Sequence, residues 1–145
     1  MNQKVRLRRL RYNKIVRDLV EDTHLRPQDL IYPIFICGGN NIKKEIHSMP
    51  GQFQVSIDNL SGLCDRLLEV NIKSVILFGV PDEKDEEGKV AQDDNGIVQR
   101  AIQVIKKINS DILVVVDLCH CQYTTHGHCG TIKNGDVDND ITVTN

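Results

Sequence analysis

Residues 117 to 130 read D-L-C-H-C-Q-Y-T-T-H-G-H-C-G and follow directly on the apolar run Ile112 to Val116. Three of the chain's five cysteines, Cys119, Cys121 and Cys129, fall in this stretch, with His120, His126 and His128 between them. Thiolates and imidazoles are the donors that zinc prefers. An extended Cys-x-Cys would send its two thiols to opposite faces, so the chain must leave strand geometry here to aim both at one point. The third thiol returns after a seven-residue excursion. Three thiolates around a tetrahedral ion leave one position open, an arrangement suited to chemistry rather than to a structural knot.

Two plainer readings compete with a metal site. Cysteine is small and often buried, so the three could be core filler. They could also be oxidised, but Cys119 and Cys121 are too close for an easy bridge, and an odd cysteine count suits a reducing compartment. A density of Cys and His this high points to metal.

The cluster must be held by something. Asn13 is placed to cap a short helix striped by Ile15, Val16, Leu19 and Val20, which Pro27 limits. Leu30 to Cys37 is a nearly continuous apolar run ending at Gly38-Gly39, as in a strand covered on both faces, although Pro33 conflicts with a sheet ladder. Cys37 then reads as a buried strand residue. Ser48 to Gly51 is a turn by composition, and Ser56 or Asp58 starts a helix striped by Leu60, Leu63, Cys64, Leu67 and Leu68, with Cys64 in the core. Ser74 to Val80 is a second buried strand. Asp82 to Asn95 is acidic and rich in turn formers. Its carboxylates lack the alternating rhythm of a calcium loop, and Lys84 and Lys89 interrupt them, so a plain solvated connection is expected. Asn95 is the expected cap of a helix whose inward positions are Ile97, Val98, Ala101, Ile102, Ile105 and Ile108. Ile112 to Leu118 is the third strand, and about twenty residues of connection follow before Asn139 or Asp140 caps a last helix.

Strand, helix, strand, helix, strand with buried apolar runs implies parallel pairing through right-handed crossovers. A dinucleotide-binding sheet should show a glycine fingerprint leading straight into a helix, and Gly38-Gly39-Asn40-Asn41 does not. A (β/α)8 barrel fits better, because the cysteine cluster sits at the carboxyl end of a strand, where such barrels keep their active sites. A closed barrel takes about 250 residues, whereas 145 residues supply three strands. The expected fold is therefore α/β, a partial TIM barrel comprising the first three strand-helix units, with residues 1–12 as an extended arm and residues 13–145 as the barrel portion. Whether it is a truncated gene, a partial sequence or an expressed piece is open.

At 40% hydrophobic content the chain has the size and composition of one soluble domain, and its net charge of −2 exerts no overall pull on nucleic acid or acidic lipid. Lys4, Arg6, Arg8, Arg9 and Arg11 make the start basic, but no aromatic platform beside them suits nucleic acid. No run is long and apolar enough to cross a bilayer or serve as a secretory signal, so a cytoplasmic protein, away from membranes, is expected.

The string from Asp117 to Gly130 resembles the zinc-cysteine signature of porphobilinogen synthase, also called delta-aminolevulinic acid dehydratase. Supporting stretches are R-L-R-R-L-R at 6–11, D-L-I-Y-P-I-F-I at 29–36, S-M-P-G at 48–51, D-N-G-I-V-Q-R-A-I at 94–102, and Asn139-Asp140. Their order matches the amino-terminal half of that family. Gln122, where proline is usual, and Thr125, where serine is common, are mild departures.

The resemblance implies a hydro-lyase condensing two molecules of 5-aminolevulinate into porphobilinogen, on the way to haem and other tetrapyrroles. It implies the same barrel, and an amino-terminal arm that wraps a neighbouring subunit of a homo-oligomer, an octamer. The family's two Schiff-base lysines belong to its second half. None of this chain's lysines matches them, so these residues alone are expected to be inactive. Within the implied site, Zn2+ on Cys119, Cys121 and Cys129 acts as a Lewis acid or activates water. Asp117 either holds the ammonium of one substrate or serves as a cap facing solvent. His128, and less directly His126, either orients a ligand or is satisfied within the loop. His120 points away from the metal, and Tyr123 and Thr124 shape the loop. The alternative is a small, non-catalytic zinc-binding structural or interaction module, in which His126 or His128 closes the site as a fourth ligand.

Overall fold

The structure is a computed structural model that describes residues 8–144. Most of the expected arm, residues 1–7 with Lys4 and Arg6, lies outside the described part. Residues 8–12 are exposed and include one 3-10 turn, Arg9–Arg11. In helix α1, Lys14–Leu19, Asn13 caps as expected: the Val16 N–H donates to Asn13 Oδ1 at 2.9 Å. The apolar stripe of α1 faces solvent rather than a core, with Ile15 77% and Leu19 83% exposed.

Five strands form the main sheet: β1 Tyr32–Cys37, β2 Lys43–Glu45, β3 Phe53–Val55, β4 Ser74–Val80 and β5 Leu113–Val116. Their order is β2-β3-β1-β4-β5, and β3, β1, β4 and β5 are parallel. The sheet is open, with β5 at one edge. Strands β2 and β3 add an antiparallel hairpin that the sequence reading lacked, with Ser48 to Gly51 in the connection between them. Pro33 is tolerated because β3 begins opposite Phe35, so β1 is paired on one side only beside the proline.

Helices α2, Leu60–Glu69, and α3, Ile97–Ile108, pack on one face of this sheet. Ile34 and Ile36 of β1 and Val75 and Leu77 of β4 point into them, joining Leu60, Cys64, Leu67, Val98, Ala101 and Ile105. Each large side chain so buried contributes about 1.5–3 kcal/mol. Burial along β4 alternates rather than being continuous, which corrects the expectation of strands covered on both faces. The other face carries Phe35 and Phe78, stacked at 5.2 Å and only half-buried, because nothing among the described residues closes over it. On the edge strand Leu113 is 57% exposed.

Two expected caps shift. Gly96, not Asn95, precedes α3; the Asn95 and Gly96 N–H groups instead close a turn on the Asp93 side chain and carbonyl. Helix α4, Asn139–Thr144, is capped by Asp138, whose carboxylate accepts the Ile141 N–H at 3.1 Å. No described helix is long and apolar enough to cross a membrane.

Candidate metal centre

The Asp117 N–H donates to the Leu77 carbonyl at 3.2 Å, carrying the β4–β5 ladder one residue past β5. Asp117 therefore sits at the carboxyl end of the strand. Cys119 is still extended, at φ −139° and ψ 132°, and a 3-10 turn then runs from His120 to Gln122. The change of geometry brings two thiols separated by one residue to the same side. Gly127, at φ +72°, helps reverse the chain, and Thr124 Oγ1 donates to the His128 carbonyl at 3.0 Å, returning Cys129 to the cluster.

Cys119 Sγ lies 3.1 Å from Cys121 Sγ and 3.2 Å from Cys129 Sγ, and all three sulfurs lie within 4.8 Å of one another. Crowded thiols do not ionise alike. Hydrogen bonding with the Cys121 side chain first, the Cys121 backbone N–H second and the Cys129 side chain third holds the Cys119 thiol below its ordinary value. Cys121 is pushed up to about 12 by its bond to Cys119, and Cys129 is raised by the same neighbour. Among the described residues, these three are the one group of at least three Cys, His, Asp or Glu donors near enough to share an ion. Tetrahedral zinc, with bonds of about 2.3 Å, needs sulfurs about 3.8 Å apart. The two gaps at Cys119 have to open by less than an ångström and the third is already no more than 4.8 Å, so the donors fit zinc in number, softness and spacing.

The loop is anchored by its middle. Tyr123 is 8% exposed and Thr124 1%. The Tyr123 hydroxyl lies over Gly79 of β4, where a Cβ would come within 2.4 Å of the oxygen. Burial, and secondarily the Asp117 charge, raise the Tyr123 phenol above its usual range. Sequence reasoning missed Gly79; the available signal was a glycine inside an otherwise apolar strand.

The acidic connection is not the plain solvated loop expected. It carries a 3-10 turn, Lys89–Gln92, and its first part docks on the cysteine loop through backbone groups. The Asp85 N–H donates to the Tyr123 carbonyl at 3.2 Å, its carbonyl accepts the Thr125 N–H at 3.0 Å, and His126 Nε2 lies 3.0 Å from the Glu86 carbonyl. Burial works against the charge on Asp85, but the N–H groups of Glu87, Lys89, Gly88 and Val90 outweigh it, and the carboxyl stays below its ordinary value.

The Asp117 carboxylate accepts a hydrogen bond from Gln122 Nε2. The His128 ring is exposed and lies 5.5 Å from the His126 ring, while the His128 N–H donates to His126 Nδ1 at 3.1 Å. His120 turns its Nδ1 into a buried position beside Gly88. Cys37 and Cys64 are buried away from the trio, and burial raises both thiols.

The family model for delta-aminolevulinic acid dehydratase matches residues 4–145. Relatives carrying that name include one from Staphylococcus epidermidis, 47% identical over 93% of this chain, and one from Bacillus subtilis, 48% identical over 93%. The chain spans 42% of each of those two, and 67% of a 46% identical relative from Ruminiclostridium josui. Among solved structures, delta-aminolevulinic acid dehydratase (porphobilinogen synthase) from Toxoplasma gondii, in complex with the reaction product porphobilinogen, superposes with a TM-score of 0.91 at 32% identity. That match covers 97% of this chain and 41% of the Toxoplasma chain. The open sheet is thus the amino-terminal part of an α/β TIM barrel, and the chain belongs to the delta-aminolevulinic acid dehydratase family.

Proposed function

We propose that this chain supplies the metal-binding, electrophilic part of a porphobilinogen synthase, the hydro-lyase that joins two molecules of 5-aminolevulinate into porphobilinogen. The observation that carries the reading is the convergence of three thiols within 4.8 Å at the carboxyl end of β5, one turn from Asp117. Cys119, Cys121 and Cys129 hold the ion. Zinc bound there supplies a Lewis acid with one position left for a reactant.

Asp117 pairs with the ammonium group of one substrate and holds its amine in line, a positioning effect. His128, through its backbone bond to His126, braces the segment that returns Cys129. The lysines that form Schiff bases with the substrate carbonyls come from outside these residues. In the whole enzyme the basic arm grips a neighbouring subunit of a homo-oligomer, an octamer, working in the cytoplasm.

Zinc-edge absorption on the chain and on His126→Ala and His128→Ala tests this reading. Three sulfurs and one exchangeable light ligand are expected in all three proteins. A histidine nitrogen bound directly in the parent and lost in either variant would instead identify a closed structural zinc module.

A further inference from the structure

Gln122 follows the second thiol, and its side chain reaches back to the start of the loop. Its Nε2 donates to Asp117 Oδ2, while its Oε1 is buried with no protein partner. An amide buried with one end unsatisfied needs a strong contact at the other, and a bond to an ionised carboxylate is of that kind. Cys119 and Cys121 lie between the two residues, so the contact closes a short ring that carries both thiols. The backbone inside that ring includes the change from extended chain to 3-10 turn that aims the thiols at one point.

We propose that Gln122 is a positioning residue: its carboxamide fixes the Asp117 carboxylate and, by closing this ring, sets the spacing of Cys119 and Cys121, so that metal uptake and the aim of Asp117 are coupled. The inference rests on reading the thiol trio as a metal site and Asp117 as the partner of a cationic amine. Coupling follows from the covalent path. Spreading the sulfurs to admit an ion moves the ends of the same ring, and the Gln122–Asp117 bond moves with them. An Asp117 carboxylate freed from Gln122 would still carry its charge, but its direction would no longer be set by the loop.

The test uses the full chain, cobalt(II) as a spectroscopic probe of thiolate binding, and three variants: Q122E, D117N and D117N/Q122E. In Q122E a carboxylate faces a carboxylate, and cobalt affinity is expected to fall about tenfold or more, the scale of a lost bond to a charged group. The double variant keeps the net charge and restores the bond with donor and acceptor exchanged, so its affinity should recover most of that loss. D117N alone keeps a neutral amide pair and should fall between them. Wild-type affinity in Q122E, or a double variant no better than Q122E, overturns the proposal. If Q122E does not fold, Q122N removes the reach without adding charge and takes its place.

A second readout needs no metal. The Gln122 side-chain amide protons should exchange slowly with solvent and shift in D117N. Exchange as fast as in free glutamine overturns the contact itself. Absence of a sulfur-to-cobalt charge-transfer band in the wild type would instead count against the metal reading and leave the amide measurement to decide the Gln122–Asp117 contact.

Discussion

The backbone of Asp85 is paired with the backbone on both sides of Thr124, donating to Tyr123 and accepting from Thr125. Two long loops, leaving the carboxyl ends of the neighbouring parallel strands β4 and β5, are thereby stitched together. The cysteine loop is held from one side by this stitch and from below by Tyr123 on Gly79. Long loops inside compact domains tend to be functional; here one loop is the scaffold of the other.

Gly88 sits in the stitched loop at φ +71°, with Thr124, His120 and Tyr123 side-chain atoms 3.4–3.6 Å from where a Cβ would stand. Gly88→Ala strains the backbone by about 1 kcal/mol, since only glycine adopts that conformation freely. The added Cβ makes only ordinary contacts, so it is the backbone strain, placed in the loop that Asp85 stitches to the cysteine loop, that should weaken zinc binding several-fold. Gly135→Ala is the control: φ is +86° there, nothing lies within 4 Å, and the glycine belongs to the turn between β6, Ile132–Lys133, and β7, Asp136–Val137. It should lose similar stability in urea unfolding yet keep its zinc affinity in calorimetry. Equal zinc affinities for the two variants would remove the scaffold role.

Asp85 gives the stitch a dependence on acid. Its carboxyl lies below the ordinary 3.8 in the folded chain, so the unfolded chain takes up the proton first. The stabilising contribution is fully present above the ordinary value and is lost as pH falls through the lower folded value. The docking should therefore be unchanged between pH 5 and 8 and weaken below about pH 4. In amide NMR spectra, the Glu87 N–H, which donates to Asp85 Oδ1 at 2.7 Å, should titrate with a midpoint below 3.8. A midpoint above 3.8 contradicts the reading.

The parts that were legible in the sequence are those with a side-chain signature. Strands β1, β4 and β5 are apolar runs, and α2 and α3 carry stripes at helical spacing, so each is found close to where periodicity places it. Strand β2 is Lys43-Lys44-Glu45, exposed throughout, and its pairing with β3 is made by backbone groups that leave no mark on composition. The Asp85 stitch escaped notice for the same reason. The Cys-x-Cys spacing required the chain to abandon strand geometry, but not that a turn at 120–122 would do it or that Gln122 would reach Asp117. Local competition among polar residues decided the caps: Asp93 took the Asn95 N–H into a turn of its own, and Asp138 capped α4 ahead of Asn139.

The cysteines divide by surroundings rather than by type. Cys64 is fully buried in α2 among Leu60, Leu67 and the sheet, so Cys64→Ser places a hydroxyl in an apolar core and should cost about 1–3 kcal/mol. Its effect on zinc stoichiometry should be nil. Cys119→Ser removes the sulfur that touches both others and should abolish tight zinc binding while changing urea stability little in metal-free protein. Elemental analysis after gel filtration, beside unfolding curves, separates the two. Full zinc content in Cys119→Ser would sink the metal reading.

Gly79 and Tyr123 make the last test. A Cβ at position 79 would meet the Tyr123 hydroxyl at 2.4 Å, its Cζ at 3.1 Å and Val98 Cγ2 at 3.0 Å, so Gly79→Ala must displace the ring. Overpacking of this kind costs about 1–3 kcal/mol. Displacement also undoes the burial that raises the phenol, so the Tyr123 ionisation should fall back towards its ordinary 10.0 in ultraviolet titration. Tyr123→Phe removes the nearest clashing atom. Gly79→Ala/Tyr123→Phe should therefore regain part of the stability lost by Gly79→Ala, although the ring carbon at 3.1 Å keeps recovery incomplete. If Gly79→Ala unfolds at the same urea concentration as the parent, the ring does not rest on β4 and the anchoring of the cysteine loop has to be sought elsewhere.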